Sequence, residues 1–302
     1  MAPELEPEPV IEAPARSLLL FGATGQIGAG ILAAAPRQGW RVLALRHRNT
    51  APQVRDTIWF DGDLTIPPLR LPDSDVVAVV HATGLWLLPP HLDDLRQAGV
   101  RRLVAFSTSS VIGKRDTRDP RERQVVADIA AAEEAVRARC DALGIAWTIL
   151  RPTLVYGQGR DMNVTAAARL IDRFGVFPVA GAAAGQRQPV HADDLAAAAL
   201  AAIDCRVARG QTYYLCGGET LAYREMIGRV FDCLGRRRRL VSVPFLGTLA
   251  GLWGQLSGNP AITADMARRM NRDLAFDDGP ARRDFGYSPR RFLGGGRNDL
   301  GL

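Results

Sequence analysis

Lysine is almost missing from this chain: of its 38 basic residues only Lys114 is not arginine. Such a bias reflects genome composition and points to no partner. Cysteine is scarce too. Cys140, Cys205, Cys216 and Cys233 form no C-x-x-C pair and no ligand-spaced cluster with the four histidines. That excludes a disulfide framework and a metal site, and suits free thiols in a reducing, cytoplasmic setting. No apolar run approaches the ~20 residues that span a bilayer, so no transmembrane segment is expected. The opening MAPELEPEPVIEAPA is acidic and proline-rich without a basic stretch, unlike a signal peptide. It reads as a disordered tail over 1–16. Net charge is +6, yet no nucleic-acid motif accompanies it. The run Arg236–Arg239 has no interleaved aromatics and reads as a solvated connection between a helix and a strand, with an anionic or protein partner left open.

Glycine, by contrast, is placed with purpose in Ser17–Gly30, SLLLFGATGQIGAG. The apolar run Leu18–Phe21 breaks into a turn in which Gly22, Gly25 and Gly28 stand three apart. The first permits a tight turn off a strand, the second lets backbone approach a pyrophosphate, and the third allows close helix–strand packing. A helix starting near Gly25 aims unpaired N–H groups and its positive dipole end at an anion.

Further along, strands are expected at Arg41–Arg46, Thr57–Phe60, Asp75–Gly84, Arg101–Ser110 and Ile145–Gly157. Helices are expected at His91–Val100 and Arg121–Gly144. This alternation predicts an α/β fold: a Rossmann-type, doubly wound parallel sheet over residues 17–157, with its ligand at the strands' carboxyl ends. Residues 158–302 form a smaller C-terminal α/β substrate lobe, with 188–216 packing back on the first domain. In that lobe Met162–Phe174 and Thr220–Gly235 read as helices, and Gln188–Ile203 as an extended entry into an alanine-rich helix N-capped by Asp193 or Asp194. The apolar, glycine-rich FLGTLAGLWGQLSG reads as a packed lobe helix.

Several segments together resemble the extended and atypical short-chain dehydrogenases/reductases, epimerase/dehydratase-like: GATGQIG, DGDL, AFSTSS, LRPTLVYGQGRDMN, RQPVHADDLA and RRDFGYSPRRF. LRPTLVYG through VSVP look most like the nucleotide-binding accessory subunit of respiratory complex I and its bacterial relatives. The resemblance implies a nicotinamide dinucleotide held by Gly22, Thr24, Gly25, Gln26, Ile27 and Gly28. Asp63 and Leu64 would flank the adenine, Ala82, Thr83 and Gly84 the ribose and diphosphate, and Ser107, Pro152 and Thr153 the nicotinamide side. An acidic residue ending the second strand selects NAD(H), whereas arginine accommodates a 2′-phosphate. Here Arg46, His47 and Arg48 stand there with no acid in reach. An arginine–phosphate pair contributes about 1.5–3 kcal/mol, so NADP(H) is expected ahead of NAD(H).

Catalysis departs from the pattern. The family's Tyr-x-x-x-Lys pair, in which lysine lowers the tyrosine's pKa, aligns with Val125 and Ile129. No tyrosine in the chain has a lysine four residues on. Ser109 aligns with the hydroxyl that binds a substrate carbonyl, or it simply satisfies strand-end backbone with its neighbours. Tyr156, Asp161 and Arg187 align with the substrate pocket; a packed aromatic and a salt bridge are the structural alternatives for Tyr156 and Arg187, and His191 reads as structural. Two functions stay open. One is an NADP(H)-dependent oxidoreductase or epimerase/dehydratase-like protein acting on a carbonyl compound or nucleotide sugar. The other is a non-catalytic NADP(H)-binding subunit, assembly factor or redox sensor.

Overall fold

The computed structural model describes residues 16–47, 54, 57–73, 75–244 and 264–301. The expected tail (but for Arg16), Arg48 and the apolar segment from Phe245 lie outside the described residues. Seven strands form one sheet: β1 (Arg16–Phe21), β2 (Trp40–Arg46), β3 (Thr57–Asp61), β4 (Val76–His81), β5 (Arg102–Phe106), β6 (Ala146–Pro152) and β11 (Gln211–Leu215). Their order is β11-β6-β5-β4-β1-β2-β3, and every pairing is parallel. The order reverses direction around β1, so the crevice between the ends of β1 and β4 is the switch point of the fold. The near-continuous apolar runs of β1 and β4 follow from helices covering both faces.

On one face lie α1 (Gln26–Ala34) and α6 (Ala192–Asp204); on the other lie α2 (Leu92–Gln97) and the long α4 (Pro120–Leu143). The alanines of α6 have a packing reason. A Cβ on Gly30 of α1 would stand 2.9 Å from the Ala196 Cβ, so small residues on both helices let them pack closely. Asp119 caps α4, accepting from Arg121 N at 2.8 Å, and Gly144 closes it in the left-handed region.

Beside α4 sits the short α3 (Ser110–Gly113), and a helix over Gly279–Phe285 packs on α6 and β11. A further set of elements packs around Tyr156, Val164, Ile171, Ile227 and Phe231. They are β7 (Val155–Tyr156), α5 (Val164–Phe174), β8 (Phe177–Val179), β9 (Gln186–Arg187), β10 (Val190–His191), β12 (Leu221–Ala222), α7 (Tyr223–Cys233) and β13 (Leu240–Ser242). Arg236–Arg239 joins α7 to β13, with Arg236 on Asp172 and Arg238 on Glu225 and Asp232. One expectation needs correcting. The N-cap of α6 is His191, whose Nδ1 accepts from Asp193 N at 3.2 Å, not Asp193 or Asp194. Pairing of β10 with β7 keeps Val190 and His191 extended up to the helix start, and Asp194 instead holds the Arg290 side chain and backbone N–H. No helix among the described residues is long and apolar enough to cross a membrane.

Candidate functional site

At the switch point the three glycines do different work. Gly22 has φ +80°, and a Cβ there would lie 2.4 Å from Ala82 O, so the turn presses on the end of β4. A Cβ on Gly28 would lie 2.1 Å from Gly22 O, which fixes the helix against the turn. Gly25 is exposed and N-caps α1. Its Cβ would meet Gly22 O at 3.2 Å and Ala82 O only at 4.0 Å, an ordinary contact, so the position is far less crowded than Gly22 or Gly28. The first turn of α1 holds no acidic residue and no side-chain cap. Among the described residues nothing accepts from the N–H groups of Gln26, Ile27 and Gly28, and the buried Gln26 Oε1 also lacks a partner. An uncapped helix start beside an open glycine suits a bound anion.

Two buried histidines support the neighbouring loops. His81, ending β4, is fully buried and donates from Nε2 to Gly84 O at 3.0 Å, fixing the Ala82–Gly84 loop. Burial pushes its pKa down to about 4, so the ring is neutral. His91 donates from Nε2 to Leu64 O at 2.9 Å. Asp63 beside it accepts from Thr65 N and Oγ1 at 2.8 and 2.7 Å, and those bonds hold its carboxyl below the usual range.

The end of β2 differs from expectation. Arg46 does have acid in reach, because the register pairs it with Asp61 on β3. Its Nε donates to Oδ1 at 2.6 Å and Nη2 to Oδ2 at 3.2 Å. His47 Nδ1 likewise lies 3.3 Å from Asp63. The acids come from the next strand, where reading along the second strand could not find them.

At the ends of β5 and β6, Ser107 donates its hydroxyl to Glu133 Oε1 at 2.5 Å, and Glu133 also binds Arg151 and Arg137. Thr153 donates its hydroxyl to Gln188 O. The Ser109 N–H donates to Pro152 O at 3.0 Å, and its hydroxyl takes no partner among the described residues. On α4, Val125 is exposed and Ile129 buried. Lys114, the sole lysine, sits 3.2 Å from Glu122.

Three residues expected in a substrate pocket are engaged elsewhere. Tyr156 is fully buried between His191 and Phe292, and its hydroxyl accepts from Leu293 N at 3.2 Å. Burial pushes its pKa upward, away from proton exchange. Asp161 accepts from the N–H groups of Asn163 and Thr165 and from the Thr165 hydroxyl, organising the start of α5. Arg187 is buried and donates to the carbonyls of Gln186, Arg269 and Arg272 rather than to any carboxylate. Conversely, Arg160 was passed over within YGQGRDMN. It is exposed and donates from Nη1 to Thr24 O at 2.6 Å, bringing a cation from the second lobe to the glycine turn.

The comparisons fit this geometry. Residues 91–216 match the NAD dependent epimerase/dehydratase family. Over that segment, less than half of its length, the chain resembles this family. A 2-alkyl-3-oxoalkanoate reductase of Stenotrophomonas maltophilia (strain K279a) is 27% identical over 318 residues, covering 90% of this chain and 94% of the reductase. The NADH dehydrogenase (ubiquinone) 1 alpha subcomplex subunit 9, mitochondrial, of Arabidopsis thaliana is 34% identical over 117 residues, 38% of this chain and 28% of that subunit. Among solved structures, MoeE5 in complex with UDP-glucuronic acid and NAD superposes with TM-score 0.71 at 20% identity, covering 94% of this chain and 96% of that one. At that identity the likeness is one of fold. The chain thus shares its overall fold with a structure that holds a nucleotide sugar and NAD.

Proposed function

We propose that this protein binds a nicotinamide dinucleotide at the carboxyl edge of the sheet, NADP(H) ahead of NAD(H), and serves as an atypical oxidoreductase of the epimerase/dehydratase type. The observation that carries the reading is the open cradle at Gly25 in front of an uncapped, acid-free α1. The diphosphate would lie there, with Arg160 at its rim and the adenosine ribose toward Arg46. Asp63 and Leu64 would flank the adenine, and the Ala82–Gly84 loop the ribose and diphosphate. Ser107, Pro152 and Thr153 would line the nicotinamide side. When bound, the cofactor supplies a hydride; the Ser109 hydroxyl, without a partner among the described residues, would donate to a substrate carbonyl. The reductase relative, matched along nearly its whole length, supports a carbonyl compound as substrate.

A second reading is favoured by Val125 and Ile129, which can neither hold ribose hydroxyls nor activate a tyrosine. It is an NADP(H)-binding protein without turnover, such as a subunit, assembly factor or redox sensor. One experiment separates the two: titrate NADPH and NADH by calorimetry, then follow NADPH oxidation across β-keto acids, aldehydes, ketones and nucleotide sugars. Tighter NADPH binding, reduced about tenfold or more by Arg46→Ala, is expected. Turnover abolished by Ser109→Ala supports the oxidoreductase; binding without turnover supports the second reading. Equal affinity of the wild type for both cofactors would sink the NADP(H) preference.

A further inference from the structure

Sequence alone shows a purely basic end to β2; the fold supplies the counter-charge. Arg46 and Asp61 are register partners at the carboxyl ends of adjacent parallel strands, and they meet through two parallel hydrogen bonds, at 2.6 and 3.2 Å. The Arg46 side chain is 31% exposed and that of Asp61 is 72% exposed, so the pair opens to the side from which a ligand arrives. Two N–H groups of the Arg46 guanidinium are thereby already engaged by an anion, and a phosphate monoester would seek the same fork. Next to it, His47 Nδ1 lies 3.3 Å from one carboxylate oxygen of Asp63. A 2′-phosphate entering here must displace the carboxylate and then lie beside it. A 2′-hydroxyl has no such contest, since it can leave the pair intact.

We propose that Asp61 is a specificity-determining residue of the dinucleotide site, an internal anion that competes with the 2′-phosphate for Arg46 and so holds the NADP(H) preference below what the arginine alone would give. The inference rests on the reading that the adenosine ribose lies beside Arg46. An exposed pair is weakly held, so Asp61 attenuates phosphate binding and does not forbid it. The arrangement makes the selectivity a product of two strands. Arg46 supplies the attraction and Asp61 limits it, so the chain retains use of both cofactors.

The test is calorimetric titration of NADPH and NADH into the full-length wild type, Asp61→Asn and Arg46→Ala, with a melting curve for each to show that it is folded. Asparagine keeps the size of the side chain and removes its charge. Asp61→Asn is expected to tighten NADPH binding by about two- to fivefold and to leave NADH binding unchanged. Arg46→Ala is expected to weaken NADPH selectively. If Arg46→Ala weakens NADPH but Asp61→Asn leaves it unchanged, the ribose reading stands and the competition proposed here is wrong. If Asp61→Asn weakens NADPH, Asp61 orients Arg46 instead of competing with its ligand, which also overturns the proposal. If Arg46→Ala changes neither cofactor, the reading beneath the proposal falls, and the proposal with it.

Discussion

Gly25 and Gly28 stand less than one helical turn apart and carry opposite constraints. A side chain at Gly28 would run into backbone at 2.1 Å, whereas one at Gly25 would meet Gly22 O at 3.2 Å and Ala82 O at 4.0 Å, with no closer neighbour. The backbone at Gly25 is extended, φ −73° and ψ 169°, a conformation any residue adopts. Gly28→Ala is therefore expected to lower stability by about 1–3 kcal/mol, and Gly25→Ala by less than about 1 kcal/mol. Urea unfolding of the two variants checks this; equal losses would contradict it. His81 makes the second prediction at this scale. Its folded pKa is depressed by burial from 6.5 to about 4, so below about pH 6.5 the unfolded chain takes up the proton first. Stability is then full above that pH and falls as pH drops toward 4. From about pH 7 to about pH 5 the wild type should lose about 2 kcal/mol more than His81→Leu, read as unfolding free energies at the two pH values. Parallel losses in the two proteins would show that His81 is not the group responsible.

Among the elements, the strands and helices of the first lobe were legible because their signals are local. Apolar runs marked β1 and β4, Gly144 marked the end of α4, and glycine spacing marked the β1–α1 turn, while the Asp119 cap and Pro120 set the start of α4 one residue before the expected Arg121. Side-chain partnerships were not legible, because they join elements distant in sequence. Asp61 reaches Arg46 across a strand pair, Arg160 reaches Thr24 from the second lobe, and Arg187 reaches Arg269 and Arg272. For Tyr156 the sequence offers both a pocket residue and a packed aromatic, and its contact with Phe292, far along the chain, is that of a packed aromatic. Arg187 and Arg102 share a role. Each is buried, each has its pKa pushed down to about 10 by burial, and each donates to carbonyls at the end of a helix: Arg102 to Ala202 and Ile203, Arg187 to Arg269 and, just beyond, Arg272. Arg187→Met should therefore cost about 1–3 kcal/mol, since it removes the donor shared by three part-buried carbonyls, while NADPH affinity changes by less than about twofold. A large loss of affinity in a protein that melts normally would return Arg187 to the ligand site.

At the scale of the whole molecule, α6 and β11 return to the first lobe after the chain has built β7, α5 and β8. The second lobe is thus an excursion out of the sheet and back into it, which is how Arg160 comes to reach the glycine turn. The net charge of +6 favours the approach of an anionic ligand to that edge. A dinucleotide diphosphate at this edge would need the space beside Gly25 to stay clear. The most direct measurement is calorimetric titration of NADPH into the wild type and Gly25→Val, with melting curves confirming that both are folded. The account predicts saturable binding by the wild type and binding at least about tenfold weaker, or absent, in the folded variant, because the valine side chain fills the cradle. Wild-type affinity in a folded Gly25→Val protein would contradict it.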